Sequence, residues 1–532
     1  MRRLAAALAL AAGLAVPSSA SAFCGFYVSG GGAKLFNNAT QVVLMRDGMR
    51  TVLSMQNNYQ GPPENFAMVV PVPVVLQKEN VKTLPRAVFE HVDNLASPRL
   101  VEYWEQDPCY EPPKPSPFAR RKAVSESAAT PSPVAAADLG VKVEAEFTVG
   151  EYAVVVLSAK DAGGLDAWLK QNSYKIPEGS EPYFKPYIEQ GSKFFVAKVD
   201  VTKVKFENGM ATLSPLRFHY DSDRFNLPVR LGLVNAQGAQ DLIVHIFANN
   251  QRYEVANYPN VTIPTNIDLS EKALDEFGPF YVALFDETVA KNPKAVVTEY
   301  AWQASTCDPC PGPAMAPSEL QLLGGDVIGE PRDCKEPMEL MPNGVRQYKK
   351  GCEPWASPTA KMVVTRLHAR YTKDSLGEDL VFRAAEPITG GREVRPQGHE
   401  GKLEEGATRA SINNFQARYA VRHPWTGPIS CKNPRRGIWG GRPGGGAAAP
   451  KSAKNLAFTP RGKVDLAAMV RSNVPELSVK APDVAPPTGT TTAPSSSRCG
   501  CEVVGDPSGG SLAALGLVGL GAALAVRRRR TP

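Results

Sequence analysis

Short apolar runs that alternate with polar positions recur through the middle of the chain, and they predict β-strands. Residues 41–55 hold two such runs around Asp47-Gly48, a dipeptide typical of a tight hairpin turn. In FAMVVPVPVVL, Pro71 and Pro73 predict a sheet edge or an extended segment, because proline cannot donate to a strand ladder. The segment VEAEFTVGEYAVVVLSA predicts another strand pair, and KFFVAKVDV, PLRFHY, VRLGLV and DLIVHIFA predict further strands.

Helical patterns are fewer. Residues 84–94 and 165–171 predict two helices, and further strand patterns continue to about residue 425. We therefore expect a mostly β (α+β) fold with sandwich-like antiparallel sheets and a few packed helices. The β-rich domain is expected over residues 23–355, and residues 356–439 are expected to continue the same domain.

Two stretches have the composition of segments without a core. Residues 111–138, rich in proline, serine and alanine, predict a disordered surface loop inside the domain. Residues 440–498 predict a low-complexity stalk, interrupted by one short helix at about residues 463–471.

The two ends of the chain predict export followed by anchoring. Arg2 and Arg3, an apolar run and Ala20-Ser21-Ala22 form a signal peptide over residues 1–22, so the mature chain is expected to start at Phe23. Near the other end, residues 509–526 are uncharged, and a helix of that length, about 27 Å, is barely long enough to span a bilayer. Arg527, Arg528, Arg529 and Arg530 follow it and favour a cytoplasmic end.

The net charge of +7 is concentrated at the ends. Without Arg2, Arg3 and the four terminal arginines, residues 23–526 carry a net charge of +1. A nearly neutral body lacks the basic face that nucleic acid requires, so we expect no nucleic-acid partner.

The cysteines predict disulfides, because an oxidising compartment outside the inner membrane permits them. Seven lie in the body and are disulfide candidates: Cys24, Cys109, Cys307, Cys310, Cys334, Cys352 and Cys431. Cys499 and Cys501 lie in the tail, and processing of one of them would leave an even number for four bridges. This parity is the only support for that assignment.

Cys307-Asp308-Pro309-Cys310 has three interpretations. It could be part of a structural disulfide, a redox pair, or half of a zinc site with Cys334 and Cys352. The following Pro311-Gly312-Pro313 does not begin a helix, and the spacing contains no second C-x-x-C. A structural disulfide is therefore the favoured interpretation, and we expect no metal and no cofactor.

No local motif indicates catalysis. The histidines (His91, His219, His245, His368, His399 and His423) form no H-x-x-x-H or H-E-x-x-H pattern. Asp221 and Asp223 are interpreted as a solvated turn in preference to a calcium site. We assign no catalytic residue, although a site assembled only by folding is compatible with these residues.

The tail resembles a known sorting signal. Cys499-Gly500-Cys501, a short linker, the apolar helix and Arg527–Arg530 look like the MYXO-CTERM signal of surface proteins in myxobacteria and their relatives. The resemblance implies that an intramembrane sorting protease acts near Cys499, Gly500 or Cys501, after signal peptidase has removed the leader. It also implies that the cysteine region carries membrane lipid.

The body, from about residue 24 to about residue 439, resembles the exported bacterial domain-of-unknown-function family numbered 2330. The stretches that carry this resemblance include FCGFYVSGGGAKLFNNATQVVLMRDG, FAMVVPVPV, GLDAWLKQNSYKIP and LSPLRFHYDSDRFNLPVRLGLVNAQGAQDLIVHIFA. The family implies an exported module, and it supplies no catalytic residue to transfer.

These observations favour a non-enzymatic binding or structural protein at the cell envelope or surface, anchored through its C-terminus. Its partner would be an envelope polymer, a carbohydrate or a protein, and exposed aromatic residues would be the usual anchors. The available tryptophans are Trp104, Trp168, Trp302, Trp355, Trp425 and Trp439. The alternative is a secreted hydrolase or metal-dependent enzyme, which would show several close His, Asp, Glu or Cys side chains lining a pocket.

Overall fold

The fold is known from a computed structural model and is mostly β with a few helices, as the sequence predicts. The structure describes residues 26–28, 40–57, 67–109, 141–172, 174, 176, 178–207, 210–235, 239–329, 338–341, 345–348, 359–392, 403–445, 449–454 and 464–482. The described residues, which end at Pro482, form one compact unit.

The strands follow one another along the chain in this order: β1 (Phe26–Val28), β2 (Thr40–Asp47), β3 (Arg50–Asn57), β4 (Ala67–Val72), β5 (Val81–Thr83), β6 (Arg99–Glu105), β7 (Val141–Val149), β8 (Tyr152–Ala159), β9 (Lys193–Val199), β10 (Lys205–Glu207), β11 (Met210–Thr212), β12 (Leu216–Asp221), β13 (Asn226–Leu227), β14 (Gln240–Asn249), β15 (Arg252–Val255), β16 (Asn260–Thr262), β17 (Ile267–Leu269), β18 (Val296–Gln303), β19 (Met338–Leu340), β20 (Arg346–Tyr348), β21 (Met362–Tyr371), β22 (Leu380–Ala385), β23 (Ile388–Gly390), β24 (Thr408–Arg409), β25 (Asn414–Gln416), β26 (Arg418–His423), β27 (Trp439–Gly440) and β28 (Lys451–Ser452). The α-helices are α1 (Arg86–Ala96), α2 (Ala162–Gln171), α3 (Glu181–Glu189), α4 (Phe277–Lys291), α5 (Pro317–Leu320) and α6 (Leu466–Met469). Short 3₁₀ turns lie at Lys78–Asn80, Val201–Lys203, Arg230–Asn235, Glu271–Leu274 and Pro475–Leu477, and a π turn lies at Gln321–Gly325.

The largest sheet of the described residues has 11 strands. Its order is β24-β23-β25-β18-β21-β14-β2-β3-β12-β5, with β16 paired to β18. Most pairs are antiparallel, but β14–β2, β16–β18 and β23–β25 are parallel. The expected antiparallel pairing therefore holds for most of this sheet but not for these three pairs, because long connections return the chain beside an earlier strand in the same direction.

A five-stranded sheet, β1-β4-β9-β8-β7, packs against the large sheet. Because side chains alternate across a strand, one face of each sheet enters a shared core. Val42 and Leu44 of β2 meet Met68 and Val70 of β4 in that core. The opposite faces are covered by helices: α2 and α3 on the smaller sheet, and α1 on the large one.

The predicted local signals have clear structural counterparts. Asp47-Gly48 lies at the turn of the β2–β3 hairpin, and Gly48 has the positive φ of 53° that such a turn requires. Helices α1 and α2 lie where the 84–94 and 165–171 patterns predict them. The Asp161 side chain caps α2 by accepting a hydrogen bond from the Gly164 backbone N–H at 2.6 Å.

The edge predicted around Pro71 is only partly correct. Strand β4 lies inside its sheet between β1 and β9. Only Ala67, Met68 and Val69 pair with β1, so Pro71 lies beyond that pairing and no ladder bond is required of it on that side.

A third sheet, β17-β26-β6-β27 with β28 on β6, lies over α4. Strands β17 and β6 both run parallel to β26. The register places Arg418 beside Arg99 and His423 beside Trp104.

The prediction of a stalk over residues 440–498 is wrong for the described residues 451–452 and 464–482, which pack on the body. Strand β28 and residues 464–482 pack on the body, where Met469, Val470, Val474 and Leu477 are buried against α4 and its neighbours. Apolar residues spaced through a polar, proline-rich segment supply this contact, and composition alone does not reveal it. Residues 483–498 lie outside the described part of the chain.

No helix among the described residues is long and apolar enough to cross a membrane. The predicted signal peptide, the 111–138 loop and the predicted span 509–526 lie outside those residues.

Candidate functional site

The densest group of ionisable side chains lies on the helix-facing side of the large sheet. Glu299 comes from β18, Arg366 and His368 from β21, Asp241 from β14 and Asp93 from α1. We call these five residues the buried ion network. Their side chains are between 0% and 9% exposed.

Two cations connect the three carboxylates of the network. Arg366 donates from Nε to Glu299 Oε2 at 2.6 Å and from Nη1 to Asp93 Oδ1 at 2.5 Å. His368 lies 2.8 Å from Glu299 Oε1 through Nδ1, and 3.3 Å from Asp241 Oδ1 through Nε2. Because the two oxygens of Glu299 face different cations, one carboxylate joins both halves of the network.

Side chains outside the five residues also contact the network. The Tyr281 hydroxyl of α4 donates to Glu299 Oε1 at 2.7 Å, and the Phe285 ring stacks on His368 at 3.7 Å between ring centroids. Arg370 donates to Asp241 Oδ1 at 2.8 Å and also pairs with Asp286.

The charges of the network hold one another in the ionised state. Burial alone would raise the pKa of Glu299, but the charges of His368 and Arg366 outweigh it and lower that pKa to about 2. Burial works against protonation of His368, yet Glu299 and Asp241 raise its pKa above the ordinary value. Burial and the charge of Arg366 lower the pKa of nearby His245 to about 3.

The network lies between the large sheet and helices α1 and α4, whose side chains contact it. Each of its members is bonded to another member, and no side chain of the five is more than about a tenth exposed. The His, Glu and Asp side chains of this network are thus engaged with one another inside the core. The network is suited to fixing the helices on the sheet rather than to proton transfer with a ligand.

The other described histidines also have partners. His91 contacts Glu319 at 2.6 Å, and His219 contacts Asn80 at 3.2 Å. His423 lies 3.1 Å from Glu102 and stacks on Trp104. His399 lies outside the described residues. No group of three or more His, Cys, Asp or Glu side chains in the described part of the chain has a geometry that could hold a metal ion.

The structure places four of the candidate cysteines in two disulfides. Cys109 is bonded to Cys431, 322 residues away, with 5.5 Å between their Cα atoms. Cys307 is bonded to Cys310, which gives the C-x-x-C motif a disulfide rather than half of a zinc site. The remaining candidates lie outside the described residues: Cys24, Cys334, Cys352, Cys499, Gly500, Cys501, Arg527, Arg528, Arg529 and Arg530.

A second constellation lies on the face of the third sheet opposite the α4 core and includes Tyr300 from β18 of the large sheet. Three arginines and three aromatic rings alternate there, each guanidinium lying over a ring. Arg99 lies 5.4 Å from the Tyr300 ring centroid, Arg418 lies 5.8 Å from Tyr103, and Arg422 lies 5.1 Å from Trp439. We call these six residues the arginine–aromatic face.

This face changes from buried to open along its length. Arg99 and Arg418 are fully buried, and Arg99 donates to the Pro309 carbonyl at 2.8 Å. Arg418 donates to the Asn266 side chain at 2.9 Å and to the Tyr103 hydroxyl at 2.9 Å. At the other end, Tyr103, Arg422 and Trp439 are half-buried.

Residues 424–445 continue from the open end as the cationic loop. The buried carboxylate of Glu105 organises it by accepting from the Trp425 N–H at 2.9 Å, the Gly437 N–H at 2.8 Å and Arg436 Nε at 2.9 Å. The Cys109–Cys431 disulfide and the β6–β27 pairing fix the loop at two further points. The loop is therefore attached to β6 and its neighbouring residues at several points along its length.

The candidate tryptophans differ in burial. Trp168 and Trp302 are buried in the core, as is usual for large aromatic residues. Trp104, Trp425 and Trp439 are half-buried at the same end of the third sheet, with Trp104 and Trp439 on opposite faces of it. Trp355 lies outside the described residues.

Sequence reasoning missed the arginines of this face and Glu105. The segments RLVEYWE and RYAVRH carry arginines and aromatic residues on alternate positions, which is the one local signal that was available. That signal becomes informative only when the two strands are known to be neighbours.

Comparisons with known proteins identify the family but no characterised relative. No curated protein and no solved structure is significantly similar to the chain. The model of one family, described as uncharacterized protein conserved in bacteria (DUF2330), matches residues 17–383. We expected the resemblance to reach about residue 439, but the match ends at residue 383. Strand β26 and the cationic loop therefore lie beyond it. Because the match covers more than half of the chain, this protein belongs to the DUF2330 family of uncharacterized bacterial proteins.

Proposed function

We propose that the protein is an exported, non-enzymatic binding module of the cell envelope, anchored through its C-terminus. The single observation that carries the binding role is the open end of the arginine–aromatic face, where half-buried aromatic rings and cations adjoin the cationic loop. Rigid aromatic and arginine side chains at an ordered surface are typical of recognition sites.

The contacts among the buried ionisable side chains support a binding role in preference to catalysis. The buried ion network places its carboxylates and His368 in contact with one another instead of lining an open pocket. The predicted leader and sorting tail support the location, with signal peptidase, an intramembrane sorting protease and membrane lipid as the partners of maturation.

A sedimentation experiment separates binding from catalysis. The full chain, purified in detergent, is added to lipid-extracted envelopes from cells that lack the gene. We expect saturable co-sedimentation, with the polymer recovered at unchanged length after the protein is eluted. Time-dependent release of polymer fragments would indicate the enzyme alternative, and sedimentation no greater than that of an unrelated protein would contradict a binding role.

A further inference from the structure

The cationic loop carries only positive charge. Residues 424–445 include Lys432, Arg435, Arg436 and Arg442 and no Asp or Glu, and all four cations are exposed. Two acidic groups beside the loop pair with arginines, Glu105 with Arg436 and Asp268 with Arg422. A third, exposed Asp107, accepts a hydrogen bond from the Cys109 backbone N–H at 2.8 Å. The loop itself is therefore positively charged, and its exposed cations can attract an anionic ligand.

The loop is also ordered before any ligand arrives. Besides the Glu105 contacts and the disulfide, the Arg435 N–H donates to the Pro108 carbonyl at 2.8 Å, and the Gln106 N–H donates to Ile438 at 2.8 Å. Four prolines restrict the backbone further: Pro424, Pro428, Pro434 and Pro443. A preorganised surface loses less conformational entropy when it binds.

Trp439 adds an aromatic surface next to the cations. The Arg422 guanidinium lies over the indole, 5.1 Å from the ring centroid, and Trp439 is half-buried, so part of this residue is in contact with solvent. Indole rings stack on the apolar faces of sugar rings, whereas guanidinium and ammonium groups pair with carboxylates, sulfates and phosphates.

We propose that the open end of the arginine–aromatic face and the cationic loop together bind an acidic polysaccharide, with Arg435 and Arg442 pairing with its anionic groups and Trp439 contacting its sugar rings. This inference rests on the proposed binding function and specifies its ligand class. A polymer is the favoured ligand because four separate exposed cations follow one another along residues 432–442 and can meet successive charged units.

The test compares four probes with the full chain in detergent. Alginate supplies uronate sugars, dextran supplies neutral sugars, and polyglutamate supplies carboxylates without sugars. Mixed micelles of the detergent with phosphatidylglycerol, with phosphatidylcholine mixed micelles as the control without net charge, supply an anionic lipid surface. We expect alginate to bind at least about tenfold more tightly than dextran or polyglutamate, and its affinity to fall with added salt.

Matched variants locate the site. Arg435→Gln with Arg442→Gln removes two exposed charges and leaves the Glu105–Arg436 pair intact, so the loop keeps its internal contacts. We expect alginate affinity to fall about fivefold to tenfold. Lys142→Gln with Lys185→Gln removes the same charge from side chains that are each 71% exposed elsewhere, and it should change affinity by less than about twofold.

Several results would overturn the inference. Equal affinity for alginate and polyglutamate would remove the carbohydrate part, and a preference for phosphatidylglycerol without alginate binding would indicate a lipid surface. Equal losses in the two double variants would place the site elsewhere. If alginate binding fails while lipid-extracted envelopes still bind the chain, only this inference falls; if both fail, the proposed function falls with it.

Discussion

Glu299 is the residue on which the buried ion network depends most directly. Its two oxygens face Arg366 and His368, and its side chain is fully buried. Removing one partner of a buried ion pair leaves the other charge uncompensated in a medium of low polarity, which costs more than the pair itself contributes.

We therefore expect Glu299→Gln to lower the free energy of unfolding by about 3–5 kcal/mol in urea titrations. Glu386→Gln is the matched control, because Glu386 is 66% exposed and pairs with Arg409, which is 85% exposed. The control should change the free energy by less than about 1 kcal/mol. Similar losses in both variants would show that the network does not stabilise the fold.

His245 makes the stability sensitive to acid. Its pKa is about 3 in the folded protein, against about 6.5 when unfolded, so between these values the unfolded chain binds the extra proton. Stability should therefore fall as pH decreases below about 6.5. At pH 5 the contribution amounts to about 2 kcal/mol.

The variant His245→Gln should lose less stability than the natural chain between pH 7 and pH 5, as measured by urea titration at each pH. His368 has the opposite effect on the pH dependence of stability. Because its pKa is raised in the folded protein, its contribution to stability is lost as pH rises through that pKa. Parallel pH profiles for the natural chain and His245→Gln would contradict the assignment of His245 as a buried neutral group.

At the scale of elements, the Cys109–Cys431 disulfide joins β6 to the cationic loop across 322 residues. Cys307–Cys310 closes a loop over a separation of only three. In the chain-entropy account, a longer closed loop gives the larger stabilisation.

Replacing Cys109 and Cys431 with serine should lower the free energy of unfolding by about 2–5 kcal/mol and expose the cationic loop to proteases. Replacing Cys307 and Cys310 with serine should have a smaller effect on the free energy of unfolding and on cleavage of the cationic loop. Proteolysis mapped by peptide mass is the readout, and equal cleavage of residues 424–445 in the two double variants would contradict the role of the long-range bond.

The segment 464–482 gives a second element-scale prediction. Met469 is fully buried on the body, whereas Met49 at the β2–β3 turn is 58% exposed. We expect Met469→Ala to lower the free energy of unfolding by about 2–4 kcal/mol and Met49→Ala by less than about 1 kcal/mol, measured by thermal or urea unfolding. A Met469→Ala protein as stable as the Met49→Ala control would mean that this segment belongs to the stalk after all.

The elements that could be predicted from sequence are those with a local signal. The Asp47-Gly48 turn and the amphipathic pattern of α1 are such signals. Helix α4 was not predicted, because buried Phe, Tyr, Val and Leu side chains occupy several of its sides and leave no clear polar stripe.

The sites depend on contacts that no local pattern contains. Arg366 and His368 alternate with apolar residues on β21, so the sequence indicates polar positions that face solvent. In the structure they face helices, and the partner Asp93 lies 273 residues away from Arg366. The arginine–aromatic face likewise requires the pairing of β6 with β26, between residues more than 300 positions apart.

At the scale of the whole molecule, the described body presents one ordered end of the third sheet for recognition, and the chain beyond Pro482 is proposed to hold that body at the envelope. The most direct test is intact-mass and terminal-peptide mass spectrometry of the protein purified from native envelopes. We predict a chain that starts at Phe23 and ends near Cys501, with lipid mass on a tail cysteine. A chain from these envelopes that retains its leader and all four terminal arginines and carries no lipid would contradict the account.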